Sequence, residues 1–380
     1  MSTPSSSVNN ADILDLQKQV ARLQALLEAS RQVHSTIQHE EVLNCVLRIV
    51  VRELEMPGAL FTVPWLIYGD MPPEPWDGCV RFPIRNKEGK RLTELVVALP
   101  PDRQLSLYEE DFLEGLALQA GVALENAHYH ARNLEWARVQ QDLDSARVLQ
   151  RSLLPQQMPE LPGYSVAVRY TPCYEVGGDY VDIVSLPDGA QVMIVADVAG
   201  KGLASAIVSN AFRSAFRAMA AAGVPLVELA ARLNQQHYAE GPETRRRYVT
   251  AIFLKLDMTT HQLEIVNAGH NPGFLFAEDG RAREIEASGT PIGLMPSMQY
   301  QAVKASFAPG SRLLFYTDGL TEVYRGDEEF GEERLMEAFR ECNSKQCADI
   351  LDSLWDRLHG FSGNAHQHDD MTALALMRQA

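Results

Sequence analysis

The sequence predicts an α+β protein in three parts: a small α/β domain, a long helical connection and a larger layered domain. Three observations carry this. From Pro162–Gly163 onward, strand-like runs alternate with pairs of helical stretches. Between residues 30 and 128 the order is helix, short strands, helix. From Gly121 to Leu153 a helical pattern runs without a proline or a further glycine.

The elements follow in order. Residues 1–29 combine a polar start, expected to be disordered, with a helix. That helix carries Ile13, Leu16, Val20, Leu23 and Leu27 at three- and four-residue spacing. The spacing fits a coiled-coil seam and equally an amphipathic helix packed on its own domain. Residues 30–128 hold a helical pattern from Glu40 to Leu54. Strands are expected at Ala59–Val63, Val80–Ile84 and Leu95–Leu99, and a helix from near Tyr108. Residues 129–155 form the linker, which Pro155 ends. In residues 156–380, strands are expected at Tyr164–Tyr170, Val181–Leu186, Val192–Ala196, Val249–Leu256, Leu263–Asn267, Leu313–Thr317 and Thr372–Met377. Two helices are expected between Gly202 and Tyr238, and two between Glu332 and His359.

Composition narrows the function. The chain has 380 residues and a formal net charge of -16, which argues against nucleic acid or an anionic membrane surface as partner. Five scattered cysteines without a CxxC pair point to a reduced, cytoplasmic setting. The N-terminus lacks a signal-peptide pattern, and no run of about 18 apolar residues predicts a membrane span.

Acidic residues at strand edges carry the chemistry. Asp179 opens a strand after Gly177–Gly178, Asp197 closes one, Asp318 closes another, and Asp369 and Asp370 precede the last. Strand ends meet at a sheet rim, and clustered carboxylates stay ionised only around positive charge. An oxygen-only donor set of this kind suits Mg²⁺ or Mn²⁺. Glycines beside these acids (Gly177, Gly178, Gly200, Gly202, Gly319) let the backbone approach a ligand closely.

EVGGDYVDIV, IVADVAGKGLASAIV, VNAGHNPGFLF, GTPIGLM, LLFYTDGLTEVYRGDEEFGEERL and HDDMTALAL resemble, in order, the motifs of PPM (PP2C-like) phosphatases. They are most similar to the bacterial branch of sporulation and stress-response phosphatases in partner-switching pathways. The resemblance covers about residues 146–377. It implies an αββα sandwich with two divalent ions, Mn²⁺ or Mg²⁺, at one end. Asp197 would bridge both ions, with Val198 lending its carbonyl and Asp179 completing the first. Asp318 and Asp369 would hold the second, and Asp370 would either ligate or cap the following strand. The ions would acidify a water that attacks the phosphorus of a phosphoserine or phosphothreonine in line. The family arginine that binds substrate phosphate in eukaryotic members has no counterpart in TPCYEVGGD, so phosphate binding is expected to rest on the metals alone.

The implied substrate is a phosphorylated STAS-type anti-sigma-factor antagonist. LLEASRQVHSTIQHEEVLNCVLRIV and EEDFLEGLALQAGVALENA resemble a GAF domain. That implies a sensory module for a small molecule or a protein, acting through the helical linker of a homodimer.

Other signals are weaker. Val195 and Gly202 break a P-loop reading of Gly200–Lys201–Gly202, leaving Lys201 as a solvated residue. His366, His368 and Asp369 lack a second ligand pair for zinc. His270 reads as structural, Asp182 as a carboxylate outside the ligand set, Cys342 and Cys347 as packing residues. Arg245–Arg246–Arg247 reads as a solvated turn or a contact to an acidic partner. Two other functions are weighed. A GGDEF-type cyclase fails because Tyr180–Val181 follows Asp179. A degenerate scaffold fails because every expected acidic position is filled.

Overall fold

The computed structural model describes residues 10–101, 103–155, 157–363 and 365–379, with some side chains of the first helix left out. The polar start up to residue 9 and the side chains of the seam positions Ile13 and Leu16 lie outside what is described. The chain forms two compact units divided at Gln140/Gln141.

The first unit begins with α1 (Asn10–Val33) and α2 (His39–Glu53). Four strands follow: β1 (Gly58–Thr62), β2 (Trp65–Gly69), β3 (Cys79–Arg85) and β4 (Arg91–Ala98). They form one antiparallel sheet in the order β2-β1-β4-β3. Val42, Val46, Leu47 and Val50 lie on one face of α2, and they are buried with Phe61, Leu95 and Val97 of the sheet. Leu113, Leu116 and Ala120 of α3 (Leu107–Leu153) close that core. The helix runs unbroken for 47 residues, as its lack of proline predicts. The hairpin strand β2 was not anticipated. Its exposed Trp65 and Ile67 alternate with partly buried residues at a sheet edge.

The second unit is a sandwich. Its elements are β5 (Tyr164–Thr171), β6 (Tyr180–Ser185), β7 (Gln191–Val198), α4 (Leu203–Ala221), α5 (Leu226–Ala239), the short α6 (Pro242–Arg245), β8 (Val249–Asp257), β9 (Gln262–Ala268), β10 (Gly273–Phe276), β11 (Ala282–Ile285), β12 (Ala302–Ser306) and β13 (Arg312–Tyr316). A small ribbon, β14 (Tyr324–Arg325) and β15 (Glu328–Glu329), precedes α7 (Gly331–Glu341), α8 (Cys347–Ser362) and β16 (Met371–Arg378). One antiparallel sheet runs β11-β10-β13-β16-β5 and the other β12-β9-β8-β7-β6.

Strands buried on both faces read as continuous apolar runs, and VMIVA and AIFL do so here. Val181, Val195, Ile252, Leu254, Phe315 and Leu374 fill the space between the sheets. Phe212 and Phe216 of α4, with Leu229 and Leu233 of α5, cover the outer face of one sheet. Phe339 of α7, with Leu354 and Trp355 of α8, covers the other. This is the expected αββα arrangement.

Candidate metal centre

Strand register places the acids. Tyr180 at the start of β6 pairs with Ala196 near the end of β7, so Asp179 and Asp197 share one rim of their sheet. In the other sheet, Tyr316 at the end of β13 pairs with Ala373 near the start of β16. Asp318 and Asp369 therefore flank the same rim. A bridge joins the two sheets: Thr317 Oγ1 donates to Asp179 Oδ2 at 2.7 Å, and Thr372 Oγ1 donates to the same oxygen. Asp179, Asp197, Asp318 and Asp369 thus come together at one end of the sandwich, with the Val198 carbonyl beside them. That carbonyl lies 2.9 Å from where a Cβ on Gly178 would stand.

Asp370 has a separate task. Its Oδ1 accepts from the Cys173 amide (2.8 Å) and its Oδ2 from the Gly178 amide (2.7 Å). It braces the turn that delivers Asp179, with one amide bond to each of its oxygens. Gly177 must be glycine for this: a Cβ there would sit 2.2 Å from Asp370 Oδ2 and 2.5 Å from the Tyr170 hydroxyl. Gln150 at the end of α3 holds the same turn through two bonds. Its Nε2 donates to the Gly177 carbonyl (2.7 Å), and its Oε1 accepts from the Gly177 amide (3.1 Å).

The electrostatics show what the site needs. Burial, then Asp318, Asp369 and Asp370, push the Asp197 carboxyl up to about 7. Burial, then Glu322 and Asp369, push Asp318 up to about 6. Asp179 is raised well above the usual carboxylate range, first by burial and then by Asp197 and Asp370. Acids that resist ionisation this way suit a cation among them. Among the described residues, no three His, Cys, Asp or Glu side chains already close on one point as an ion cage. The carboxylates are engaged by neighbours instead, Asp179 by the threonines and Asp369 by a lysine. The donor set, oxygen throughout, fits hard divalent ions.

Lys201 is exposed, as expected, but it is also paired. Its Nζ pairs with Asp369 Oδ2 at 2.8 Å and donates to the His368 carbonyl. Asp182 is buried and bound by Tyr180 and by Arg217 at 2.7 Å, away from the rim acids. His270 is buried too, its Nδ1 2.8 Å from Thr250 Oγ1, and burial lowers its pKa to about 4. His366 and His368 are exposed, and the His368 ring meets Tyr324 edge-on. Thr317, Thr372 and Gln150 were not anticipated. The two threonines sit inside the quoted motifs YTDG and DDMT, but a hydroxyl carries no signal of its partner across the sandwich.

A sandwich of two antiparallel sheets between helix pairs, with acids gathered at one rim, defines the PP2C class of phosphatase domains. A profile of the Stage II sporulation protein E (SpoIIE) family matches residues 187–379, and the chain belongs to that family. The chain is 27% identical over 263 residues to IcfG of Synechocystis, and 26% identical over 295 residues to the phosphoserine phosphatase RsbU of Bacillus subtilis. These matches cover 62% and 76% of this chain, but 41% of IcfG against 84% of RsbU. The PP2C domain of SiaA from Pseudomonas aeruginosa shares the fold, with a TM-score of 0.57 at 21% identity. That likeness covers 64% of this chain and 98% of the SiaA domain.

Proposed function

We propose that the chain is a divalent-metal-dependent protein phosphatase acting on phosphoserine or phosphothreonine of a regulatory protein. The observation that carries this is the convergence of Asp179, Asp197, Asp318 and Asp369 at one rim. RsbU, a phosphoserine phosphatase of similar length, supports the substrate class. Asp179, Asp197 and the Val198 carbonyl would hold one ion, and Asp197, Asp318 and Asp369 the other. When bound, the ions supply an acidified water and neutralise phosphoryl charge. Asp370, Thr317, Thr372 and Gln150 fix the geometry, since a loosened ligand costs rate steeply. No side-chain nucleophile is required.

The substrate in this reading is a phosphorylated STAS-type antagonist, and the first unit is a GAF-like sensor of a small molecule or protein. Its signal would pass along α3 in a parallel homodimer. Exposed apolar side chains on the helices support self-association: Val20, Leu23 and Leu27 on α1, and Tyr129, Trp136 and Val139 on α3. Among the described residues no helix is long and apolar enough to cross a membrane.

Phosphate release from a phosphoserine-bearing STAS domain, with Mn²⁺ present, tests the substrate. Release there, but not from a phosphotyrosine peptide, is the expected result. Equal turnover of both would remove the serine/threonine assignment.

A further inference from the structure

The three consecutive arginines have different fates. Arg245 stacks on Tyr238, 3.9 Å from the ring centre, and its Nε donates to the Tyr238 carbonyl. Arg246 lies on the surface, 3.4 Å from Glu243. Arg247 is half-buried and makes no ion pair among the described residues. Its backbone is pinned, because its carbonyl lies 2.9 Å from Nε2 of the buried His237. The next residue is pinned as well: the Tyr248 carbonyl accepts from the Ala199 amide at 2.9 Å.

This anchoring lays the guanidinium on the loop after Asp197. Arg247 Nη1 donates to the Ala199 carbonyl at 3.4 Å, and stands 2.5 Å from where a Cβ on Gly200 would be. Gly200, at φ +95°, leaves room for it. A guanidinium has five N–H donors in a fork suited to phosphate, and one long bond leaves most of them free. Two residues further along the same loop, the Lys201 ammonium is already taken by Asp369 and the His368 carbonyl. The loop that presents the Val198 carbonyl therefore has Arg247 as its uncommitted cation.

A phosphomonoester dianion approaching this acidic rim needs positive charge that the protein's own carboxylates have not consumed. We propose that Arg247, the cation on this loop that no carboxylate has taken, clamps the phosphate group of the substrate. This rests on the phosphatase reading of the rim. It also departs from the expectation that the metals alone bind phosphate. Lys201 is not part of the clamp, because its charge is spent on Asp369.

The test uses the full chain. It combines p-nitrophenyl phosphate hydrolysis at saturating Mn²⁺, inhibition by inorganic phosphate, and Mn²⁺ binding by calorimetry. Arg247→Met should raise KM and the phosphate inhibition constant together, about ten- to a hundredfold for one lost charge-assisted bond. kcat and Mn²⁺ affinity should stay near wild type, and Arg247→Lys should recover part of the loss. Unchanged KM and phosphate inhibition would overturn the clamp. So would weaker Mn²⁺ binding with KM intact, since Arg247 would then only brace the loop. A wild type that binds Mn²⁺ without hydrolysing ester would defeat the phosphatase reading instead. Calorimetric phosphate binding would then decide the clamp, and equal affinity in wild type and Arg247→Met would overturn it.

Discussion

Two threonines share one oxygen of Asp179, two backbone amides hold Asp370, and Lys201 holds Asp369. Asp179, Asp369 and Asp370 are thus fixed by partners far away in sequence. The acids themselves were legible, because a carboxylate at a strand edge beside glycine is uncommon outside turns. Their partners were not, because hydroxyls and amides acquire a role only when the sheets stack. The pH dependence follows from burial. Asp197 and Asp318 titrate near 4 in an unfolded chain, and at about 7 and about 6 in the folded one. The folded state keeps their protons longer, so without a cation stability falls as pH rises from about 4 toward 7. Thermal denaturation in EDTA should give a lower Tm at about pH 8 than at about pH 5, with Mn²⁺ restoring it. Equal Tm values in EDTA would contradict the raised pKa values. Asp182 makes a different prediction, since its partners Tyr180 and Arg217 lie off the rim. Asp182→Ala should cost stability by about 1–3 kcal/mol, because the buried Tyr180 hydroxyl loses its acceptor while the released Arg217 is 43% accessible to water. Mn²⁺ affinity should stay unchanged. Calorimetry showing lost Mn²⁺ binding in the folded variant would place Asp182 among the ligands.

At the scale of elements, long and strongly patterned segments were legible in the sequence. The uninterrupted α3, the paired helices α4–α5 and α7–α8, and the inner strands β7, β8 and β16 all follow from apolar periodicity and from where proline stands. The short strands β10, β11 and β12 were not, since four or five residues at or near a sheet edge need no alternation. β11 buries only Ile285 fully. The end of α3 shows what an element contributes to the site. Gln150 is buried and satisfies both backbone groups of Gly177. Gln150→Ala would leave those groups unpaired, at a cost of about 1–3 kcal/mol. Mn²⁺ binding should weaken with it, because the turn carries Asp179. A lower Tm with unchanged Mn²⁺ affinity would show that the turn keeps its shape without this brace.

On the scale of the whole molecule, the αββα unit is a SpoIIE-family phosphatase domain, and the first unit is a sheet with helices of its own. Exposed Trp136, 63% accessible on α3, is the position where self-association is most readily tested. Trp136→Glu should turn a dimer into a monomer in light scattering, and a wild type that is already monomeric would remove the dimer from the account. The four-acid rim is proposed as a metal-dependent phosphatase centre. Hydrolysis of p-nitrophenyl phosphate tests it most directly, with Mn²⁺, with EDTA, and with folded Asp197→Asn and Asp318→Asn proteins. Activity that requires Mn²⁺, and that falls by at least about a hundredfold in both variants, is the predicted result. Activity that persists in EDTA or in either variant would contradict it.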